Sequence, residues 1–441
     1  MMIDARFRPI LRPLETIVAP DPRHGRVVVL QDTQGFTSAH AVLPPPLVPI
    51  VARMTGTRTC EEIAREAGAE LGAELPVEVV VKLAKELDEA LMLDSPRFRA
   101  EKERIERAFV EARVRAASHA GGAYHGERAK LAAYLEKDCL ARARKKKSAA
   151  NGATMANGKR LVGLVAPHID PWRGAEGYGH AYDALAKSLA PEVDTFVVFG
   201  TSHAPMREHF ALCKKAFDTP LGEVAADEDA IDAIAKRAKF DPYADQLNHK
   251  REHSIEFQVV FLRHMLGERP FRIVPVLAGL GEHQARRSDP AKDDRANAFL
   301  DAIAELVEAR NGRVAVIAGA DMAHVGPRFG DADPYGRAER AALEATDRAS
   351  LAHAAALEGS AFWDHVARDL ETRRVCGLGP IYALMRTIPR AARGDLLHYE
   401  QTIDDNDGSI VSHAAMGFYR AGGVLRAETP PHDVDRRRSG E

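Results

Sequence analysis

The clearest pattern in the chain is a set of apolar runs, each about as long as one buried β-strand. Unbroken runs of this length indicate strands that are covered on both faces of a sheet. Amphipathic stretches of helical length lie between or beside them, at 177–189, 228–237, 255–266 and 296–309. Strands that alternate with helices predict an α/β fold with a mainly parallel central sheet flanked by helices. The four apolar runs are residues 161–166, 195–200, 272–279 and 314–319.

Residues 1–113 carry a separate pattern, which predicts a small N-terminal domain. The Val-rich segment 26–30 indicates a strand, and the segment 32–35 indicates a turn. Thr59 is followed three residues later by Glu62, the spacing of a helix capping box. Three helical patterns occupy residues 47–54, 59–71 and 76–91.

Three short helices beside a β-ribbon are typical of a winged-helix-like module. Residues 56–93 also resemble PqqD-like peptide-binding domains through their hydrophobic pattern, and a small helical packing domain without a ligand is the alternative. DNA binding is disfavoured because the third helix has mixed charge. The charged stretch 101–115 predicts an amphipathic connector helix.

The remainder, residues 114–424, predicts one α/β domain that ends in a hairpin. Residues 396–403 and 410–419 are the hairpin strands, joined by a turn-forming segment. We expect a flexible basic insertion at about 141–160 and a disordered tail at 425–441. The basic run of the insertion is typical of a solvated loop, with a nucleic-acid or membrane patch as the alternative.

The amino-acid composition disfavours some classes of function and does not alter the predicted fold. The 441 residues include 61 Lys and Arg against 64 Asp and Glu, a formal charge of −3, so we expect no nucleic-acid partner. The four cysteines form no CxxC pair, which favours a reducing compartment. We find no signal-peptide pattern and no apolar stretch near 20 residues, so we expect a cytoplasmic protein without membrane attachment.

Histidines follow three of the four predicted strands within a few residues: His168, His203 and His324. In an open α/β sheet, ligands bind outside the carboxyl ends of the strands, so these side chains are expected to converge if the strands are parallel neighbours. Imidazole suits Zn, Fe and Cu, and Cys376, which has glycines close after it in the sequence, adds a thiolate. Ordinary hydrogen-bonded histidines and a small buried cysteine are the alternatives.

A further pair lies at the predicted start of the third helix of this domain. His253 and Glu256 are three residues apart and share a helix face, so Glu256 is a candidate to orient His253. The alternative is an acid that complements the helix dipole. His249 and His264 are expected on the surface.

These residues also carry a family resemblance. The segments APHID, GTSHAP, REHSIEFQ, GADMAHVGPRFGD and CGLGPI occur in the order found in the Memo family, whose bacterial and archaeal members include AmmeMemoRadiSam system protein B. The resemblance covers about residues 123–420. It implies a fold similar to the class III extradiol dioxygenases and a divalent transition metal, iron before copper or zinc. The implied metal ligands are His168, His203 and Cys376.

The resemblance also implies the residues around that metal. His324 would face the site with Asp321 beside it, and His253 and Glu256 would line it. Cys376 departs from the dioxygenases, whose third ligand is a carboxylate, and thiolates near iron and oxygen are easily oxidised. Asp170 adds a carboxylate near the expected metal. It would be a metal ligand, a hydrogen-bond partner of a ligand, or an ordinary turn residue.

Two functions follow as expectations. The first is a metal-dependent enzyme of redox or dioxygenase-like type, with His324 held by Asp321 as the general acid/base. The second is a scaffold, with or without metal, that recognises peptides or modified side chains. The system name implies a radical SAM protein and an AMMECR-type protein as partners.

Overall fold

The computed structural model describes residues 3–32, 34–149, 159–280 and 289–421, with only the backbone described for 146–149. The strands, in chain order, are β1 (Glu15–Asp21), β2 (Gly25–Gln31), β3 (Ala41–Leu43), β4 (Val114–Arg115), β5 (Lys159–Ala166), β6 (Thr195–Thr201), β7 (Phe210–Leu212), β8 (Ala216–Phe217), β9 (Ala225–Ala226), β10 (Arg272–Ala278), β11 (Val314–Gly319), β12 (Asp321–Val325), β13 (Arg393–Ile403) and β14 (Ile410–Ala421).

Helices of different length connect these strands. The α-helices are α1 (Val48–Ala52), α2 (Cys60–Leu71), α3 (Val77–Glu89), α4 (Pro96–Glu111), α5 (Arg128–Tyr134), α6 (Ala141–Ala149), α7 (Ala175–Ser188), α8 (Glu228–Ala235), α9 (His253–Leu266), α10 (Asp294–Ala309), α11 (Arg337–Ala356), α12 (Gly359–Ala367), α13 (Leu370–Arg373) and α14 (Leu378–Thr387). A π-helical turn, Leu135–Leu140, joins α5 to α6.

The central sheet has the strand order β12-β14-β5-β11-β6-β10-β7, with β13 beside β14 and β9 beside β10. Its middle strands β5, β11, β6 and β10 run parallel, and β7, β12, β13 and β14 pair antiparallel toward the edges. The predicted mainly parallel centre and the closing hairpin are therefore confirmed. Four apolar runs that each fill one central strand explain this result, because such strands are stable only when both faces are covered.

Helices cover both faces of this sheet and produce two separate cores. Alternate residues of β6 show the division: Val197 and Phe199 pack with α8, α10 and α14, whereas Phe196 and Val198 pack with α7 and α9. The period-two alternation of side chains along a strand produces this separation. The candidate functional site lies at the carboxyl ends of the parallel strands.

The N-terminal module consists of an antiparallel meander, β1-β2-β3, and helices α1 to α3 around a core of its own. Helix α2 begins at the predicted capping box, in which Thr59 accepts from the backbone of Glu62 and the Glu62 carboxylate accepts from the backbone of Thr59. The predicted strand and three helices are therefore present. The winged-helix-like and PqqD-like assignments stay predictions.

The prediction for the connector helix was wrong in part. The connector helix α4 begins at Pro96, because Ser95 caps it, and ends at Glu111. Val114–Arg115 forms a strand that pairs with β8 instead of continuing the helix. The backbone of 141–149 is helical, and the flexibility of the insertion stays a prediction; 150–158 and the predicted tail lie outside the described residues.

Among the residues that the structure describes, none of the helices combines the length and the low polarity that crossing a lipid bilayer requires.

Candidate metal centre

Three neighbouring strand ends bring the candidate ligands together. Strand β11 lies between β5 and β6, so His168 after β5 and His203 after β6 reach the same rim of the sheet. Cys376 arrives from the turn before α14, and Thr201 fixes this turn by donating to the carbonyl of Cys376 at 2.9 Å. One donor atom from each of His168, His203 and Cys376 lies within 4.8 Å of the others.

The ring of His168 has a defined orientation. Its Nδ1 lies 3.0 Å from the carbonyl oxygen of Gly319, and because a carbonyl only accepts, Nδ1 carries the proton. Nε2 therefore has the free lone pair, and it lies 3.1 Å from Sγ of Cys376. The backbone N–H of His168 donates to Asp321 at 2.9 Å. Burial lowers the pKa of His168 well below its ordinary value, so the ring is neutral and suited to bind a metal.

A carboxylate orients the second imidazole. Both oxygens of Glu252 lie 3.1 Å from Nδ1 of His203, and the backbone N–H of His203 donates to Glu252 at 2.9 Å. Burial alone would lower the pKa of His203, but the facing carboxylate raises it well above its ordinary value. The same contact holds the pKa of Glu252 well below its ordinary value, against the effect of burial. A carboxylate behind an imidazole leaves Nε2 to face a metal.

Glycines at the strand ends let the backbone segments of the site approach each other. A Cβ at Gly319 would lie 2.3 Å from the carbonyl oxygen of Ser254, and one at Gly200 would lie 2.4 Å from Oγ of Ser254. Because Gly200 and Gly319 have no side chain, the start of α9 can pack against this rim of the sheet. A Cβ at Gly377 would lie 2.2 Å from the carbonyl oxygen of Asp321, so this glycine seats Cys376 beside β12.

His253 lies at this centre, although not in the arrangement that we predicted. Its ring stacks on His203 with centroids 4.7 Å apart and an interplanar angle of 18°, and it meets the edge of His168 at 5.4 Å. The rings of His168 and His203 are inclined by 75°. Because the lone pair of an imidazole lies in the plane of its ring, inclined rings can converge on one ion, whereas nearly parallel rings point past it.

Glu256 orients a different histidine from the one that we predicted. It is fully buried, and its carboxylate accepts from His119 at the backbone N–H and at Nδ1, both at 3.0 Å. It also accepts from the hydroxyl of Tyr124 and from the guanidinium of Arg115. These donors hold the pKa of Glu256 below its ordinary value, although burial acts in the other direction. The prediction that Glu256 orients His253 is therefore wrong.

Asp321 and His324 also differ from the prediction. The carboxylate of Asp321 bonds to the backbone of His168, and Nδ1 of His324 lies 3.2 Å from the carbonyl oxygen of Arg374. Asp321 therefore does not hold His324. Burial raises the pKa of Asp321 to about 7 and lowers the pKa of His324 to about 4.

Sequence reasoning missed three residues of this region: Arg115, His119 and Glu252. Glu252 had a usable signal, because an acid directly before a predicted helix is a common N-cap, and its side chain does accept from the backbone of His253 and Ser254. Arg115 and His119 had none, because their partner Glu256 is more than one hundred residues away in sequence.

The remaining predicted residues have structural roles. The Asp170 carboxylate accepts from the backbone and side chain of Arg173, so it is a turn residue. His249 is buried, with Nε2 2.9 Å from the carbonyl oxygen of Ala211, so its predicted surface position was wrong. His264 is half-buried and faces Glu136 at 3.7 Å.

A second group of potential donors lies between α7 and β13: Glu176, His180 and His398. The rings of the two histidines stack almost in parallel, at 4.7 Å and 9°. Their lone pairs therefore run side by side, and the geometry favours the first group as the metal centre.

A polar cavity of about 410 Å³ lies beside the metal centre. One wall belongs to the N-terminal module, mainly residues 34 and 37–40, and the other includes His119, His203 and residues 248 and 251–253. The N-terminal module therefore contributes to the surroundings of the site.

Comparisons with known proteins agree with the sequence resemblance. A profile of the family described as Memo-like protein matches residues 115–417. A MEMO1 family protein of Aquifex aeolicus is 25% identical over 398 residues, which cover 90% of this chain and 97% of that protein. The MEMO1 family protein TTHA0924 of Thermus thermophilus is 30% identical over 276 residues, 62% of this chain and 74% of that protein.

Other matches differ in how much of the chain they cover. A MEMO1 family protein of Methanosarcina mazei is 28% identical over 263 residues, 58% of this chain and 86% of that protein. Among solved structures, uncharacterized protein JW3007 from Escherichia coli K12 has 13% identity and a TM-score of 0.31, covering 58% of this chain and 99% of that chain. A TM-score this low does not establish a common fold. The Aquifex match is longer than the segment 115–441, so it extends into the N-terminal module.

Proposed function

This chain belongs to the Memo-like protein family, and on that premise we propose that it is a metal-dependent enzyme of redox or dioxygenase-like type. One observation carries the proposal. His168 and His203 each have Nδ1 occupied by a fixed acceptor, so both Nε2 atoms are left to meet Sγ of Cys376 at a common position. Two imidazole nitrogens and a cysteine sulfur suit iron, copper or zinc, and we expect iron.

Three protein ligands leave coordination positions for a substrate, which is the pattern of a catalytic site and not of a closed structural site. A bound metal would supply Lewis-acid or electron-transfer chemistry to a substrate oxygen. The protein supplies orientation: Glu252 holds His203, and the carbonyl of Gly319 holds His168. His324, with Nδ1 directed to Arg374, is the candidate proton acceptor, with Asp321 as a neighbour of His168.

A second candidate function is favoured by the cavity between the two domains. A scaffold that recognises peptides or modified side chains needs a polar recess at its surface, and the recess here is walled by the N-terminal module. The radical SAM protein and the AMMECR-type protein are proposed as partners on the family resemblance alone. Co-purification with each tagged partner tests them directly.

Metal content tests the enzyme proposal. The full chain is purified anaerobically, and its metals are quantified by mass spectrometry beside the variants His168→Ala, His203→Ala and His24→Ala. His24 lies on the β1–β2 hairpin and pairs with Asp21, so it is the control. We expect about one metal ion per chain in the wild type and the control, and loss in the other two. Equal metal content in all four proteins contradicts the proposal.

A further inference from the structure

The cavity beside the metal centre is built by two parts of the chain that are distant in sequence. His203 and His253 line it from the α/β domain, together with Arg251, and residues 34 and 37–40 of the N-terminal module line it from the opposite side. A molecule in this cavity would therefore touch the metal centre and the N-terminal module together.

The loop of the N-terminal module is held in a fixed shape. The carboxylate of Asp32 accepts from the backbone N–H of Gln34 at 3.0 Å, of Phe36 at 2.8 Å and of Thr37 at 3.1 Å. Arg12 forms a buried ion pair with Asp32 at 3.2 Å, and its guanidinium lies 5.0 Å from the centre of the Phe36 ring. A wall that is already ordered loses little conformational entropy when a ligand binds against it.

The loop also interlocks with Arg251 of the α/β domain. Gly35 has a φ of +74°, and a Cβ at this position would lie 2.0 Å from Cδ of Arg251. The stem of Arg251 therefore passes directly against the glycine. This contact couples the placement of the Arg251 guanidinium to the backbone of the N-terminal module.

Among the described residues, the cavity wall carries three acids and one arginine. Asp32 is paired with Arg12 and Glu252 with His203, whereas the exposed Glu15 accepts from the neutral amide of Gln31. Arg251 forms no ion pair within the described part of the chain, and its side chain is exposed to the cavity. A guanidinium without a carboxylate partner favours an anion.

We propose that this cavity binds a small anionic molecule, with a carboxylate or phosphate group at Arg251 and the rest of the molecule toward the metal centre. The N-terminal module then selects the substrate, because its loop forms one wall and positions Arg251. The inference rests on the proposed function for the location of the reacting centre.

Calorimetric titration of the full chain with oxalate, and separately with inorganic phosphate, tests this proposal. Each probe is titrated into metal-loaded and metal-free protein, and the tighter probe identifies the anionic group. Arg251→Gln is expected to weaken binding of that probe by about fivefold, the effect of losing one exposed charge partner. Arg251→Lys keeps the charge and should bind within about twofold of the wild type.

The chain offers a matched pair for the loop. Gly25 has a φ of +75°, close to that of Gly35, but a Cβ there would meet nothing within 4 Å. Gly35→Ala should therefore weaken binding as Arg251→Gln does, whereas Gly25→Ala introduces the same backbone strain and should leave binding unchanged.

Two results would overturn the proposal: a wild-type chain that binds neither probe, or Arg251→Gln within about twofold of the wild type. Metal content is measured on the same samples. Normal metal content together with either result leaves the proposed metal function intact. A wild-type chain without metal rejects that function, and the metal-free titration still decides whether Arg251 binds an anion.

Discussion

Replacing Arg115 by methionine removes the guanidinium that pairs with the buried carboxylate of Glu256. Arg115 is itself fully buried, and it also donates to the carbonyl oxygens of His249 at 2.8 Å and Glu252 at 2.7 Å. Methionine fills part of the volume but carries neither the charge nor these donors. The carboxylate of Glu256 would then lose its guanidinium partner, and the two carbonyl groups would lose this donor.

The expected loss of unfolding free energy is large for a single substitution. Breaking a buried ion pair by removing one partner costs about 3–5 kcal/mol of unfolding free energy, because the remaining charge stays desolvated. The double variant Arg115→Met/Glu256→Gln should recover at least about 1 kcal/mol, since a carboxamide is neutral and still bonds to Tyr124 and His119. Metal affinity is expected to fall as well, because Arg115 supports the carbonyl of Glu252.

Urea unfolding followed by tryptophan fluorescence measures this loss in the relevant domain, because both tryptophans, Trp172 and Trp363, lie in it. Arg113→Met is the control, two residues away. Arg113 pairs with Glu223 at 3.0 Å, but its side chain is 77% exposed, so its loss should cost less than about 1 kcal/mol. If Arg115→Met, like Arg113→Met, lowers the unfolding free energy by less than about 1 kcal/mol, the reasoning about the buried pair is refuted.

Three further predictions concern the site and the pH dependence of stability. Glu252→Gln should weaken metal binding by about 10- to 100-fold, measured by competition with a chromophoric chelator; unchanged affinity would mean that Glu252 does not orient His203. Iodoacetamide should alkylate Cys376 first in the native, metal-free protein, because the other three cysteines are fully buried, and peptide mapping that finds equal labelling would contradict this. Burial lowers the pKa of His413 from 6.5 to about 4, so its neutral form stabilises the fold fully above pH 6.5, and this contribution is lost as the pH falls toward 4. His413→Phe should therefore flatten the dependence of unfolding free energy on pH between these values, and an unchanged slope in urea titrations would count against it.

The sheet could be predicted because its signal is local. Strand β11 has the bounds that its apolar run indicates, and β5 begins two residues before its run. Helix α9 begins at His253 instead of 255, because the side chain of Glu252 caps it. The convergence of His168 and His203 also followed from a general rule, since parallel neighbours end at one rim.

The contacts around the ligands could not be predicted, because they depend on packing between distant segments. Glu252 meets His203 across 49 residues, and Arg115 meets Glu256 across 141. Arg115 follows a charged helix, and a cationic side chain in such a segment is normally expected to be exposed to solvent. The turn near residue 35 could be predicted from the sequence, but no nearby residue indicates that it packs against Arg251.

Strand β5 has a consequence for the synthesis of this protein. Its two partners in the sheet, β11 and β14, begin at residues 314 and 410, so both edges of β5 emerge from the ribosome long before either partner exists. At about 5–20 residues per second, the wait for β14 is on the order of 10–50 s. An open apolar edge is a template for pairing between nascent chains. Lys159 and Arg160 begin the strand, and two positive charges at this place act as gatekeepers against such aggregation.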